Sequence, residues 1–558
     1  MQFPPIPRFA RRAAAVSGLL GVLVPLAACS ARAQRAPELL LVDGKVFTAD
    51  STHPWAEAVA IRGERITRVG TTAEIRALAG PGSRVIDVGG RVIAPGFDDA
   101  HDHVHGGEDP GVFVELGTPP ADPPAATVLD SLRAAAARVP AGTWIQATIF
   151  LAALNDASLR RAALDRVAPR DPVMLSMPTG HGLLLNSAAM RALGIRDSEP
   201  DPFGGWYERD ASGRLTGRLD EYAGWSAIRT LRSSLPDSVI VAGLRAYARR
   251  ELRFGITSVQ DMASSMDAAT TVRVFRAARL PLRVRIIRFS IPSATGLEAA
   301  EWVGVPEHPA PNVVVSGRKW ILDGTPVEQN ALTRRGYPGR PGWYGRLDFP
   351  VDSLRAMLVD ALRRREQVAF HAGDSAQAIL IGLMESLAPD SAWRPLRVRF
   401  EHGMAGAPDL WARAAAKGIV VVGNLQLLPP PEVSRHMPPV PAAAVVPQGL
   451  VTGLGSDGEP RSPFVGMYYA LSFPLRPPLD REALVRAYTA GSAYAEFAER
   501  DKGTLAPGKL ADLAVLSQDI FTVPVEALPR TESVLTLVGG RVAYDAGVLG
   551  RHAAAPER

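Results

Sequence analysis

At 558 residues the chain is long enough to bury a large core and to hold more than one structural unit. Hydrophobic residues make up 47% and charged residues 21%, an ordinary globular balance, and the net charge is only +5 with the arginines scattered, so nucleic-acid binding gains no support. The single cysteine, Cys29, leaves no partner for an internal disulfide.

Residues 1–36 read as a signal segment and linker. Arg8, Arg11 and Arg12 precede an apolar run from Ala13 to Ala28 that is too short and too rich in Ala and Gly for a membrane span. Leu26-Ala27-Ala28-Cys29 resembles a bacterial lipobox, with Cys29 as the lipidated residue. The expected location is therefore the periplasm or cell envelope, as a lipoprotein that meets the membrane only through its anchor. Soluble secretion, with cleavage after Ala31-Arg32-Ala33, is the competing reading, and Arg11-Arg12 also allows twin-arginine export.

From Glu38 to Val92 short strands alternate with tight turns, as in Leu39-Leu40-Leu41-Val42, Asp43-Gly44, Lys45-Val46-Phe47-Thr48 and Ala58-Val59-Ala60-Ile61. A matching set closes the chain, with Leu513-Ala514-Val515-Leu516, Val534 to Val538 and Arg541 to Tyr544. Neither end has enough strands to bury two faces, so residues 37–91 and 503–548 are expected to form one composite β-sandwich.

Arg91-Val92-Ile93-Ala94, bounded by Gly90 and Pro95, predicts a buried strand that delivers the histidines of Asp98-Asp99-Ala100-His101-Asp102-His103-Val104-His105. Residues two apart on an extended segment share a face, so His101 and His103 aim at one point and could grip one cation. Neutral imidazole suits zinc and its neighbours. Further strand candidates follow: Ile256 to Asp261, Leu282 to Phe289, Lys319 to Leu322, Val368 to His371, Val398 to His402, Ile419 to Val422 and Val451 to Asp457. With the first they make eight. Eight strands separated by helical stretches predict an α/β fold, a (β/α)8 TIM-like barrel over 92–502 with its site at the C-terminal ends of the strands. Residues 106–235 are too long for a barrel helix and predict a subdomain inserted after strand one, placed to roof the site.

Six of the ten histidines fall at or near predicted strand ends or in the insert, and His371, His402 and Asp457 each close a strand candidate. Together with His101 and His103 they form the expected ligand set. Lysine is scarce, with Lys45, Lys319, Lys417, Lys502 and Lys509 as all of it, and Lys319 opens an otherwise apolar strand where an unpaired ammonium is costly. A salt bridge to Asp323 is its plain reading. In the insert, His181 is a candidate substrate contact and proton carrier, Glu221 a candidate substrate contact or extra ligand, and Phe150, Trp206 and Tyr207 an apolar or aromatic lining.

The Pro95-Gly96-Phe97 turn before His101-Asp102-His103 resembles the opening signature of the amidohydrolase superfamily, although Asp98 stands where that family usually has an apolar residue. Gly503 to Leu513 resembles the segment that re-enters its sandwich. His181-Gly182 with Asn186-Ser187, Gly255 to Met262, and Lys319 with Asp323-Gly324 resemble the third amidohydrolase family, the branch that includes N-substituted formamide deformylases. His371-Ala372-Gly373-Asp374 is one residue shorter than the family pattern, which puts a role for Asp374 in doubt. The resemblance spans nearly the whole chain beyond the leader. It implies one or two divalent metal ions, foremost Zn2+, held by His101, His103, His371, His402 and Asp457, with Lys319 carboxylated to a bridging carbamate. It also implies an enzyme that hydrolyses non-peptide C–N bonds in a small-molecule amide, N-acyl amine, formamide or cyclic amide, with Asp457 moving the proton. A lactonase or esterase on the same site, and a non-catalytic binding lipoprotein, are the alternatives.

Overall fold

The computed structural model describes residues 36–553 apart from 107–109, 117–121, 293–296, 298–299, 404–407, 435, 439, 443–444 and 448. The leader and Cys29 lie outside the described residues. Eight parallel strands form the central sheet: β1 Phe97–Asp102, β2 Ile256–Asp261, β3 Arg283–Phe289, β4 Val313–Ile321, β5 Val368–His371, β6 Arg399–Glu401, β7 Val420–Gly423 and β8 Val451–Leu454. They follow one another in sequence order around the sheet. Runs such as Val420-Val421-Val422 are buried on both faces, as a parallel sheet wrapped by helices requires. Past β8 the chain meets β1 again: Asp457 N–H donates to the His101 carbonyl at 2.8 Å, and Ser456 N–H to Asp99 Oδ1 at 2.9 Å. These bonds bring Asp457 to the histidines and all but close the barrel.

Two strand assignments are corrected. Val92–Pro95 pairs with Lys45–Phe47 and with Leu513–Leu516, so it belongs to a sheet built by the chain ends, and the barrel begins after Gly96. His101 therefore lies within β1 rather than beyond a strand at 91–94. Lys319 sits near the end of β4, which starts at Val313. Ser316-Gly317-Arg318 reads as a break, and Gly317 is at φ +78° where the β3–β4 register shifts, so the strand continues through an irregularity that leaves no apolar pattern.

Strands from both ends of the chain fill two sheets. One holds Leu39–Val42, Ala58–Arg62, Arg65–Gly70, Arg84–Asp87 and Arg551–Ala553; the other holds Lys45–Phe47, Trp55–Ala56, Val92–Pro95, Leu513–Leu516, Ser533–Val538 and Arg541–Asp545. Leu41, Val59 and Ile86 of the first pack with Val46, Ile93, Val515 and Leu537 of the second in one core. Between β1 and β2 lies a six-stranded sheet running from Val112–Phe113 to the hairpin Gly205–Arg209 and Leu215–Glu221. Helices Tyr222–Ser233 and Asp237–Arg253 lead from it to β2. Among the described residues no helix is long and apolar enough to cross a membrane.

Candidate metal centre

Strands β1, β5 and β6 and the segment after β8 bring His101 and His103, His371, His402 and Asp457 to the C-terminal mouth, because their backbones are locked in the parallel sheet. Asp457 is the hub. Its Oδ1 lies 3.3 Å from both His101 Nε2 and His103 Nε2, and its Oδ2 lies 3.5 Å from His402 Nδ1. The rings continue outward, with centroids 4.7 Å apart for His101 and His402, 4.6 Å for His402 and His371, and 4.9 Å for His371 and His181. His402 (φ 64°) and Asp457 (φ 58°) both adopt the left-handed region, as does Glu221 (φ 53°) in the insert. Backbone outliers of this kind cost ~1–3 kcal/mol each and concentrate at functional sites.

The outer nitrogens of the imidazoles are already engaged. His101 Nδ1 is 2.6 Å from Glu401 Oε2 and His103 Nδ1 is 2.7 Å from Ser264 Oγ, while His402 Nδ1, the nitrogen that faces Asp457, is 2.9 Å from Asn424 Oδ1. Arg399 grips Glu401 in turn through Nε and Nη2. Such partners fix ring orientation and tautomer. The inward His101 Nε2 is buried and makes no hydrogen bond although Asp457 Oδ1 is 3.3 Å away. A buried imidazole nitrogen facing a half-buried carboxylate oxygen is the arrangement that two ligands of one cation adopt, and His101, His103 and Asp457 offer ligand atoms all within 4.8 Å of one another. Burial pushes the pKa of His103 down, of His402 down to about 3 and of His371 well below the usual range, which leaves these imidazoles neutral and able to act as ligands. Burial would raise the Asp457 carboxyl, but His101 and His402 outweigh it and hold the group anionic. The donor set fits a divalent cation of the zinc type.

The other expected residues are placed as follows. Lys319 is buried, and burial lowers its ammonium to about 8 against the attraction of Glu401 and Asp457. Asp323, its expected salt-bridge partner, instead accepts the backbone N–H groups of Leu332 and Gly373. The remaining four lysines pair with Asp519, with Glu385 and Asp390, with Asp98 and Glu496, or with backbone carbonyls. Asp374 accepts from Arg334 N–H in the first turn of the helix after β5. His181 Nδ1 lies 2.7 Å from Glu221 Oε2 with both side chains buried. Burial opposes the charged form of His181, but Glu221 prevails and raises the imidazole to about 9. Trp206 lies under Arg346, whose guanidinium carbon is 3.3 Å from the ring centre. Tyr207 packs with Met174, Leu183 and Leu219 in a core of the insert, and Phe150 opens the helix Leu151–Asn155. The aromatic ring that meets the histidines is Trp225, stacked on His103 at 5.7 Å and edge-on to His181 at 5.9 Å. No motif singles it out. Glu401, Ser264 and Asn424 were likewise missed, although a carboxylate inside the buried strand Arg399-Phe400-Glu401 is itself a signal that it serves a partner.

The amidohydrolase family model (third amidohydrolase family) matches residues 84–544. An N-substituted formamide deformylase of Arthrobacter pascens is 26% identical over 91% of this chain and 98% of its own length. The protein LONG AFTER FAR-RED 3 of Arabidopsis thaliana is 28% identical over 91% of each chain. Among solved structures, an uncharacterized metal-dependent hydrolase from Pyrococcus horikoshii OT3 superposes with a TM-score of 0.64 at 18% identity, covering 88% of this chain and 99% of that one. The chain belongs to the amidohydrolase family and is a metal-dependent hydrolase with the barrel fold of that family.

Proposed function

We propose that the protein hydrolyses a non-peptide C–N bond in a small-molecule amide, N-acyl amine, formamide or cyclic amide. The observation that carries this is Asp457 Oδ1 poised 3.3 Å from two inward imidazole nitrogens at the barrel mouth. The similarity to a formamide deformylase over almost its full length supports the choice of bond. His101, His103, His371, His402 and Asp457 would hold one or two divalent ions, foremost zinc, and Lys319 would join them as a carbamate. When bound, such an ion acidifies water and polarises a carbonyl.

The chain's own residues supply the rest. Asp457 accepts the proton that a water gives up as its oxygen attacks the carbonyl carbon, and delivers it to the nitrogen as the C–N bond breaks. That delivery matters because an amine departs poorly until it is protonated. His181 meets the substrate from the roof, and Trp206, Tyr207 and Phe150 belong to the insert that shapes that roof. Burial keeps part of Lys319 as the free amine near neutral pH, and only that form adds carbon dioxide. Export and lipidation at Cys29 complete the proposal; Cys29→Ala should release the protein from the membrane fraction or block its processing, and unchanged fractionation would favour secretion.

A panel of formamides, N-acyl amines, cyclic amides and lactones, assayed on metal-stripped and zinc-reloaded protein, tests the bond class. Turnover of amides that returns with zinc supports it. Turnover confined to lactones and esters would replace it with the oxygen-ester reading.

A further inference from the structure

Glu221 carries more unfavourable features than any structural role explains. It closes the strand Leu215–Glu221 and directly precedes the helix Tyr222–Ser233, with φ 53° and ψ −129°. That backbone region is open to glycine and strained for other residues. The strand, the strained residue and the helix make an elbow that thrusts a side chain forward from a rigid support, the device other folds use to present a reacting group. Its carboxylate is fully buried, and only Oε2 has a partner, His181 Nδ1 at 2.7 Å, while Oε1 is buried without a hydrogen bond. Strain, desolvation and an orphaned oxygen coincide at one residue.

The surroundings preserve the elbow. A Cβ added at Gly324, just beyond β4, would lie 2.8 Å from Glu221 Oε1, so a side chain there would collide with the carboxylate. Tyr222, the next residue, accepts the Ile321 N–H of β4 on its hydroxyl at 2.9 Å, which pins the insert to the barrel at the strand that carries Lys319. His181 is held on its other sides by the His371 ring and by the edge of Trp225.

We propose that Glu221 is a positioning residue: its elbow presses the carboxylate onto His181 Nδ1, so that His181 meets the substrate's reacting group through Nε2 in one fixed orientation. The inference rests on the hydrolase reading of this site and adds the device that aims its roof histidine. A buried acceptor on one imidazole nitrogen fixes the ring angle and keeps a proton on that nitrogen, the part played by the carboxylate of a catalytic triad. Glu221 therefore acts through His181 and is no metal ligand.

Two measurements test this. The first needs no substrate. In 15N-histidine-labelled protein, the His181 signals, assigned by their loss in His181→Gln, should report a proton on Nδ1 and should shift in Glu221→Leu, with equal zinc content and a folded far-UV spectrum in both. Unchanged His181 signals, or zinc lost from Glu221→Leu, would overturn the proposal. The second uses whichever amide or ester is turned over. Glu221→Gln should lower kcat ~10²-fold with little change in KM, and should lower it no further in a His181→Gln background. Losses that multiply in the double variant would show that Glu221 does not work through His181. Failure of every amide would sink the bond class and leave the nitrogen-15 outcome standing.

Discussion

The barrel buries two polar clusters, one at its floor and one at its mouth, and they are built on opposite terms. At the floor Lys502 Nζ lies 2.9 Å from Asp98 Oδ2 and also contacts Glu496, while Arg399 is shared among Gln260, the Ala100 carbonyl and Glu401. Each carboxylate there lies within ion-pair distance of a lysine or arginine, although Asp98 Oδ2 and Glu496 Oε1 make no hydrogen bond. At the mouth, imidazoles crowd round one carboxylate, and the inward His101 nitrogen has no hydrogen bond. The difference lies in the chemistry of the partners: opposite charges at the floor hold the barrel together, whereas the imidazoles and carboxylate converging at the mouth are a metal-ligand set. The two are joined, since Arg399 holds Glu401 and Glu401 holds His101.

The contrast breaks most visibly at Asp457. Asp457→Asn keeps the shape and removes the base, so catalysis should fall by ~10² to 10⁴ while most of the metal is retained. Turnover within a few-fold of the parent would pass the proton to His181. Next comes Lys319. Lys319→Ala should empty at least one metal position, and short carboxylates added to the buffer should restore part of the activity. Because the neutral amine is the form that takes up carbon dioxide, bicarbonate should raise metal loading more above about pH 8 than below it. Full metal content in the variant would end the carbamate assignment.

The floor should answer to stability and leave the metal alone. Asp98→Leu strips Lys502 of one of its two carboxylates but leaves Glu496 beside it, and should cost ~1–3 kcal/mol, read as a drop in denaturation midpoint, with zinc content unchanged. Adding Lys502→Met should deepen that loss, since it leaves Glu496 as a buried carboxylate without its cation. The smallest effect belongs to the insert. Removing the guanidinium from Trp206 with Arg346→Met should lower stability by ~0.5–2 kcal/mol, and a larger change in KM than in stability would place that stack in the substrate's path.

The same contrast explains what could be read in advance. His371, His402 and Asp457 were legible because each follows a mostly apolar strand run, and His101 and His103 because their two-residue spacing places them on one face of an extended segment. Asp98 was visible only as a departure from the family pattern. Its explanation, Lys502, lies after the last barrel strand, and no local periodicity links the two. Trp225 stayed hidden, and Glu221 was singled out without its pairing to His181, for a related reason. Their roles depend on how the insert folds back onto β4 through Tyr222 and Ile321, a tertiary contact with no sequence spacing to announce it. Strand 92–95 was misassigned because its buried apolar run fits the end sheet as well as the barrel, and the choice was made by pairing partners far along the chain.

The most direct measurement is metal analysis of the purified protein beside His101→Ala and His103→Ala, with Asp98→Leu as the floor control. One or two divalent ions per chain, lost in both histidine variants and kept in the floor variant, is the predicted result; metal retained at the parent level in the folded histidine variants would contradict it.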